Sequence, residues 1–113
     1  MSDEYSLLND WCKEDNIPRE NIDFKGYVKF ESSALGYMSV YMGKSNIYIQ
    51  QVLEKTSIAK YGVLWHEYCH SYVYDKYRKL GHISKWWSKF LTKPQYVILS
   101  GFAQIIYPFI KEK

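Results

Sequence analysis

The chain has 113 residues, of which 47% are hydrophobic and 19% aromatic, so it can bury one core and is too short for a second domain. A net charge of +3 is too small to indicate nucleic-acid binding by itself. The start is acidic and polar, and the two cysteines, Cys12 and Cys69, lie far apart. These features argue against a secretory signal and a disulfide framework, and we expect a single cytoplasmic domain over residues 1–113.

The first half of the chain predicts a helix followed by strands. Apolar side chains recur at helical spacing over residues 2–16, where Ser2 or Asp3 can cap the helix before Pro18 ends it. The apolar period then changes to two, which predicts strands at residues 27–30, 36–42 and 46–50. Because parallel pairing needs a long crossover and only short turns separate these strands, we expect a three-stranded antiparallel meander. The predicted fold class is α+β.

A long helix is predicted to start at Thr56 or Ser57 and to carry the sequence His66-Glu67-Tyr68-Cys69-His70. Two histidines four residues apart project from the same face of a helix, so both can bind one metal ion. A catalytic zinc site has three protein ligands and one open position, and His82 is the remaining histidine of the chain. Glu67, which follows the first ligand, is the candidate general base.

The assignment of His82 as a ligand restricts where this helix can end. A helix that ran unbroken to Leu80 would carry the chain about 15 Å beyond His70, at about 1.5 Å per residue. Gly81 alone spans at most about 3.6 Å and could not bring His82 back to the metal. We therefore expect the helix to end near Tyr74–Tyr77, with Gly81 adopting a backbone conformation that other residues resist.

Two nearby side chains are weaker ligand candidates. Cys69 points about 100° away from His70 on a helix and is interpreted as a buried, inert thiol. Asp75 is the only nearby carboxylate that would serve as an alternative ligand, although a solvated charge beside Lys76 is the favoured interpretation.

The C-terminal third predicts two further helical or buried segments. Residues 83–91 predict a short helix with Ile83, Trp86, Trp87 and Phe90 facing inward and Lys85 and Lys89 facing outward. Residues 95–110 are uncharged and mostly apolar, yet shorter than the roughly 17–25 residues of a membrane span. A buried helix or strand that closes the core is favoured, and membrane association and an oligomer interface are the alternatives.

Three motifs occur in a fixed order: the strand at residues 46–50, the H-E-x-x-H helix at residues 66–70, and His82 followed by Trp86-Trp87. In this order, residues 37–90 resemble the SprT-like (Spartan) domain and its small relatives, the WLM and YgjP-type minimal zincins. The spacing between His70 and His82 lies between those of the YgjP and Spartan types. In these families the strand before the metal helix forms the sheet edge along which a substrate peptide lies.

The resemblance implies a zincin-like fold and a zinc-dependent endopeptidase acting on a polypeptide. Zn²⁺ would bind His66, His70 and His82, and Glu67 would act as general base and acid towards a metal-activated water. An oxyanion donor is also expected, and spacing does not choose among the four nearby tyrosines, Tyr68, Tyr72, Tyr74 and Tyr77.

Two other functions compete with proteolysis. The first is a non-catalytic, zinc-stabilised module that binds nucleic acid or a protein partner. The second is weak DNA or RNA association, because residues 25–30, 74–79 and 85–89 interleave cations with aromatic side chains. Lysines on the solvated side of strands and helices produce the same pattern, and no transmembrane segment is expected.

Overall fold

A computed structural model describes residues 3–111 as an α+β fold of four helices and a three-stranded sheet. The elements in chain order are α1 (Asp3–Asp15), β1 (Ile22–Val28), β2 (Gly36–Tyr41), β3 (Lys44–Gln50), α2 (Ala59–Tyr77), α3 (Ser84–Phe90) and α4 (Pro94–Ile110). Short 3₁₀ helices at Arg19–Asn21 and Gln51–Lys55 precede β1 and follow β3. The predicted α+β class is confirmed, and Ser2, one of the two predicted caps of α1, lies outside the described residues.

The sheet is mixed, with strand order β1-β3-β2, and the predicted antiparallel meander is therefore wrong. Strands β2 and β3 pair antiparallel across the two-residue turn Met42-Gly43, whereas β1 pairs parallel with β3. The rule on short connections holds for β2 and β3, but β1 and β2 are not neighbours. The intervening residues 29–43, which include β2, form the long connection that parallel pairing of β1 with β3 requires.

Strand β3 lies at the centre of the sheet, and both of its isoleucines are completely buried. Ile47 and Ile49 are 0% exposed. Strand β1 also starts earlier than predicted, since Ile22 and Phe24 bury their side chains in the same core. Of the two strands that contact helix α2, β2 is therefore an edge strand and β3 is not.

Helix α2 runs through the middle of the molecule and packs against α3, α4 and two strands of the sheet. Trp65, Tyr68 and Cys69 on this helix are 0% exposed. Its start is later than predicted, at Ala59, and the Thr56 side chain accepts a hydrogen bond from the backbone N–H of Lys60 (3.2 Å). A helix buried this completely holds its motif in a fixed position.

The C-terminus of α2 agrees with the expectation that followed from His82. The helix ends at Tyr77, and Arg78 adopts a left-handed conformation (φ 56°) while its N–H bonds to the carbonyl of Tyr74 (2.9 Å). Gly81 also has a positive φ, of 91°. These two residues reverse the chain, so that His82 returns towards the α2 histidines before α3 begins.

Helix α3 buries fewer of its side chains than predicted. Trp86 (1% exposed) and Phe90 (6% exposed) face the core, but Trp87 is 49% exposed, which corrects its inward assignment. Lys89 was expected to face solvent, yet its ammonium lies 2.7 Å from the Asp15 carboxylate, with 14% of the side chain exposed.

Helix α4 is the predicted C-terminal helix, but only one of its two faces is buried. It crosses α2 where Gly62 faces Ser100, and Ala103 is its one fully buried residue. The opposite face exposes large apolar side chains at helical spacing, namely Ile98, Phe102, Ile105 and Phe109. No helix within residues 3–111 has the length and apolar character that crossing a membrane requires.

Candidate metal centre

His66, His70 and His82 converge at one point beside α2. One side-chain nitrogen from each lies within 4.8 Å of the other two, and the Nε2 atoms of His66 and His82 are 3.2 Å apart. Within the described part of the chain, this cluster contains no fourth His, Cys, Asp or Glu. The prediction that these three histidines lie close together is confirmed, including the position of His82, which is 16 residues from His66 along the chain.

The donor set fits a zinc ion. Zn–N distances of about 2.0–2.1 Å in a tetrahedral shell place two imidazole nitrogens about 3.4 Å apart, close to the observed separation of His66 and His82. Metal binding also requires neutral imidazoles. Burial, with the neighbouring His70 and His82, lowers the pKa of His66 to about 3, and burial with His82 lowers that of His70 to about 4. These two rings are therefore neutral at physiological pH.

Trp86 of α3 holds the three imidazoles in place. Its ring stacks on His70 at a centroid distance of 5.1 Å and meets His66 and His82 edge-on at 4.7 and 4.4 Å. Its indole N–H also donates a hydrogen bond to the backbone carbonyl of His66 (3.3 Å). One buried aromatic residue thus contacts every candidate ligand, and the aromatic pair after His82 was the sequence signal for it.

Glu67 and the three histidines line a solvent-open cleft of about 350 Å³. Gly36, Tyr37 and Met38 of β2 also line this cleft. The Glu67 side chain is 6% exposed, and burial raises the pKa of its carboxyl to about 8. A cation bound by the histidines would favour the carboxylate and lower that pKa.

Gly36 is a site residue that the sequence reading did not identify. A Cβ at this position would lie 3.0 Å from the Tyr48 carbonyl and from Val63, and 3.2 Å from Cγ of Glu67. The absence of a side chain lets the start of edge strand β2 approach α2 directly. A glycine at the beginning of a predicted strand was the available signal, but it does not reveal what the strand approaches.

The strand at residues 46–50 does not form the sheet edge beside the metal cluster. It belongs to β3, which is hydrogen-bonded on both sides, by β1 and by β2. The edge that reaches the cleft is β2. The expected role of residues 46–50 as a peptide-binding edge is therefore wrong, because a central strand has no free backbone groups to offer an incoming peptide.

None of the four tyrosines considered as oxyanion donors lines the cleft. The hydroxyl of Tyr68 contacts the Trp11 carbonyl (3.0 Å) and the Asp15 carboxylate (2.5 Å) in the core. The rings of the other three pair with nearby cationic or aromatic side chains, as in the pairs Tyr72–Lys89, Tyr74–Arg78 and Tyr77–Lys85.

The two weaker ligand candidates also lie outside the cluster. Asp75 accepts a hydrogen bond from the Asn21 side chain (3.1 Å) and is not part of the metal-capable group. Cys69 is 0% exposed, and burial raises the pKa of its thiol. The interpretation of Cys69 as a buried thiol is confirmed.

No known protein family, curated protein or solved structure matches this chain.

Two of the three cationic and aromatic segments meet on the surface. Lys85 lies over the ring of Tyr77 (4.7 Å), so residues 74–79 and 85–89 are neighbours. Lys89, however, is bound to Asp15, and Lys25 of the third segment pairs with Asp23 (3.6 Å). These two cations are already paired with carboxylates, which weakens the segments as a phosphate-binding surface.

Proposed function

We propose that this protein is a zinc-dependent endopeptidase of the minimal zincin type, as its resemblance to SprT-like domains implies. The observation that carries the proposal is that the three candidate histidine ligands and the buried Glu67 line one open cleft. A structural zinc site normally closes with four protein ligands, and three with a free position are typical of catalysis.

His66, His70 and His82 would hold the ion. When bound, Zn²⁺ supplies Lewis-acid chemistry, which activates water and polarises a peptide carbonyl at neutral pH. Glu67 accepts the proton of the attacking water and then donates it to the departing amine. Burial beside the cleft keeps the Glu67 carboxyl out of bulk solvent, and Trp86 fixes the imidazole rings so that the ligands need little reorganisation.

The substrate is a polypeptide that lies along β2. Strand β2 is an edge strand, and its first residues, Gly36 to Met38, border the cleft. An extended peptide can add to such an edge through main-chain hydrogen bonds. This mode of binding suits unfolded or flexible segments, because a folded substrate does not present an extended backbone.

The test is zinc content measured together with casein cleavage in wild type and three variants. We expect one zinc per chain in wild type, loss of zinc in His82→Ala, and retention of zinc in Glu67→Gln with a rate lowered about 10²- to 10⁴-fold. Asp75→Asn is the matched control and should keep both zinc and activity. Tight zinc binding by His82→Ala would overturn the ligand set, and full activity of Glu67→Gln would overturn the mechanism.

The alternative is a zinc-stabilised module that binds nucleic acid without catalysis. The contact between Lys85 and Tyr77 is the one observation that favours it, since it brings two cationic segments together. Under this alternative, Glu67→Gln would change nothing, and retention on DNA would fall steeply with salt concentration.

A further inference from the structure

An apolar depression of about 470 Å³, open to solvent, lies between α3 and α4, and we call it the α3–α4 pocket. Its walls are formed by Trp86, Trp87 and Phe90 of α3 and by Val97, Gly101 and Gln104 of α4. None of the described residues that line it is Asp, Glu, Lys or Arg. Helix α4 has no charged residue along its whole length. A volume of this size falls in the range of ligand-binding pockets.

The pocket is continuous with the candidate metal centre. His66 and His82 line the α3–α4 pocket and also the cleft that contains Glu67 and Gly36. A peptide that lies along β2 and passes across these two histidines therefore meets the pocket next. A side chain that enters it belongs to a residue close to the reacting peptide bond.

We propose that the α3–α4 pocket binds a bulky apolar side chain of the substrate, such as Leu, Met or Phe, at a position flanking the cleaved bond. This inference rests on the proposed peptidase function. Aromatic walls favour such a side chain because it leaves water on binding, whereas a charged side chain would lose its hydration and find no counter-ion. The pocket gives a small enzyme a sequence preference at one position.

Gly101 and Gln104 set the size and the polarity of the pocket. A Cβ at Gly101 would meet no atom within 4 Å, so this residue leaves open space on the α4 side. A larger side chain there would narrow the pocket without a clash in the backbone. Helix α4 contributes two polar side chains to the wall of the pocket, Ser100 and Gln104.

The first test is digestion of a degenerate peptide library with the zinc-loaded wild type, followed by sequencing of the products. We expect enrichment of Leu, Met and aromatic residues at one of the two positions next to the cleaved bond. Cleavage with no preference at either position would overturn the proposal.

The second test uses variants of the pocket wall. Gly101→Leu should lower kcat/KM for a peptide with Phe at the preferred position about tenfold or more, while a matched Ala peptide is little affected. Ile105→Leu, at an exposed position of α4 that does not line the pocket, is the control and should keep the Phe preference. Gln104→Lys should raise cleavage of peptides with Glu at that position. Unchanged preferences in Gly101→Leu and Gln104→Lys would contradict the assignment.

A binding measurement separates failure of the pocket from failure of the peptidase function. The zinc-loaded Glu67→Gln protein is titrated with a Phe peptide and with its Ala counterpart, followed by isothermal calorimetry. The Phe peptide should bind about tenfold or more tightly, and the double variant with Gly101→Leu should lose that difference. Equal binding of the two peptides overturns the pocket even if casein is cleaved, whereas a Phe preference supports it even if no cleavage occurs.

Discussion

At the scale of single residues, burial lowers the pKa values of two histidines of the site and raises that of Glu67. These shifts make the free energy of unfolding depend on pH in opposite directions. In the metal-free protein, the pKa values of His66 and His70 are about 3 and 4, below the ordinary 6.5. The unfolded chain takes up protons below pH 6.5 that the folded chain does not, so these histidines lower the free energy of unfolding as the pH falls towards 4.

Glu67 has the opposite effect. Its folded pKa of about 8 lies above the ordinary 4.5, so the folded chain keeps a proton that the unfolded chain releases. The free energy of unfolding therefore falls as the pH rises through this range. We predict that Glu67→Gln gains stability relative to wild type between about pH 5 and pH 8, measured by urea unfolding in EDTA. A difference between the two proteins that does not vary with pH would contradict this.

At the scale of elements, the contact between α2 and α4 depends on Gly62. A Cβ at this position would lie 2.2 Å from the backbone nitrogen of Ser100 and 2.4 Å from the carbonyl carbon of Leu99. Backbone atoms cannot yield as a flexible side chain does, so the two helices would have to separate.

We predict that Gly62→Ala lowers the free energy of unfolding by about 1–3 kcal/mol or more, despite the higher helix propensity of alanine. Gly101→Ala on the facing helix is the matched control. It adds a methyl group to open space and should stabilise the protein by up to about 1 kcal/mol. Denaturation in urea gives both values, and equal effects of the two substitutions would show that the close approach is not tight.

Individual elements show what the sequence could predict. The end of α2 followed from chain reach, because His82 cannot return to the histidines of an unbroken helix. The strand order could not be predicted from the sequence. A hydrophobic period of two shows which side chains of a strand share a face, but it does not show which strands are neighbours in the sheet. The prediction that Trp87 is buried was also wrong. A seven-residue helix turns only one narrow face towards the core, and Trp86 and Phe90 already occupy that face.

At the scale of the whole molecule, a partly buried ion pair joins three helices. Asp15 at the end of α1 contacts Lys89 of α3 (2.7 Å) and the hydroxyl of Tyr68 of α2 (2.5 Å). The sequence offered no signal for this, because Asp15 and Lys89 lie 74 positions apart. The pair holds the helix that carries Trp86 against the helix that carries the metal motif.

We predict that Asp15→Asn lowers the free energy of unfolding by about 2–3 kcal/mol and weakens zinc binding, because Lys89 then remains partly buried without its counter-charge. Asp23→Asn is the control, since that carboxylate forms exposed ion pairs with Arg19 and Lys25 and should cost less than about 1 kcal/mol. Thermal unfolding with and without Zn²⁺ measures both effects, and equal losses in the two variants would exclude a special role for the Asp15 pair.

The position of β3 between β1 and β2 also limits when β1 can join the sheet during synthesis. The turn Met42-Gly43 has positive φ at both residues (53° and 79°), as in the tight turns that start hairpins, so β2 and β3 can pair as soon as both exist. Strand β1 leaves the ribosome earlier than either, yet its one partner in the sheet is β3. The first strand to be synthesised therefore cannot join the sheet until residues 44–50 have emerged, and until then its apolar side chains have no partner strand.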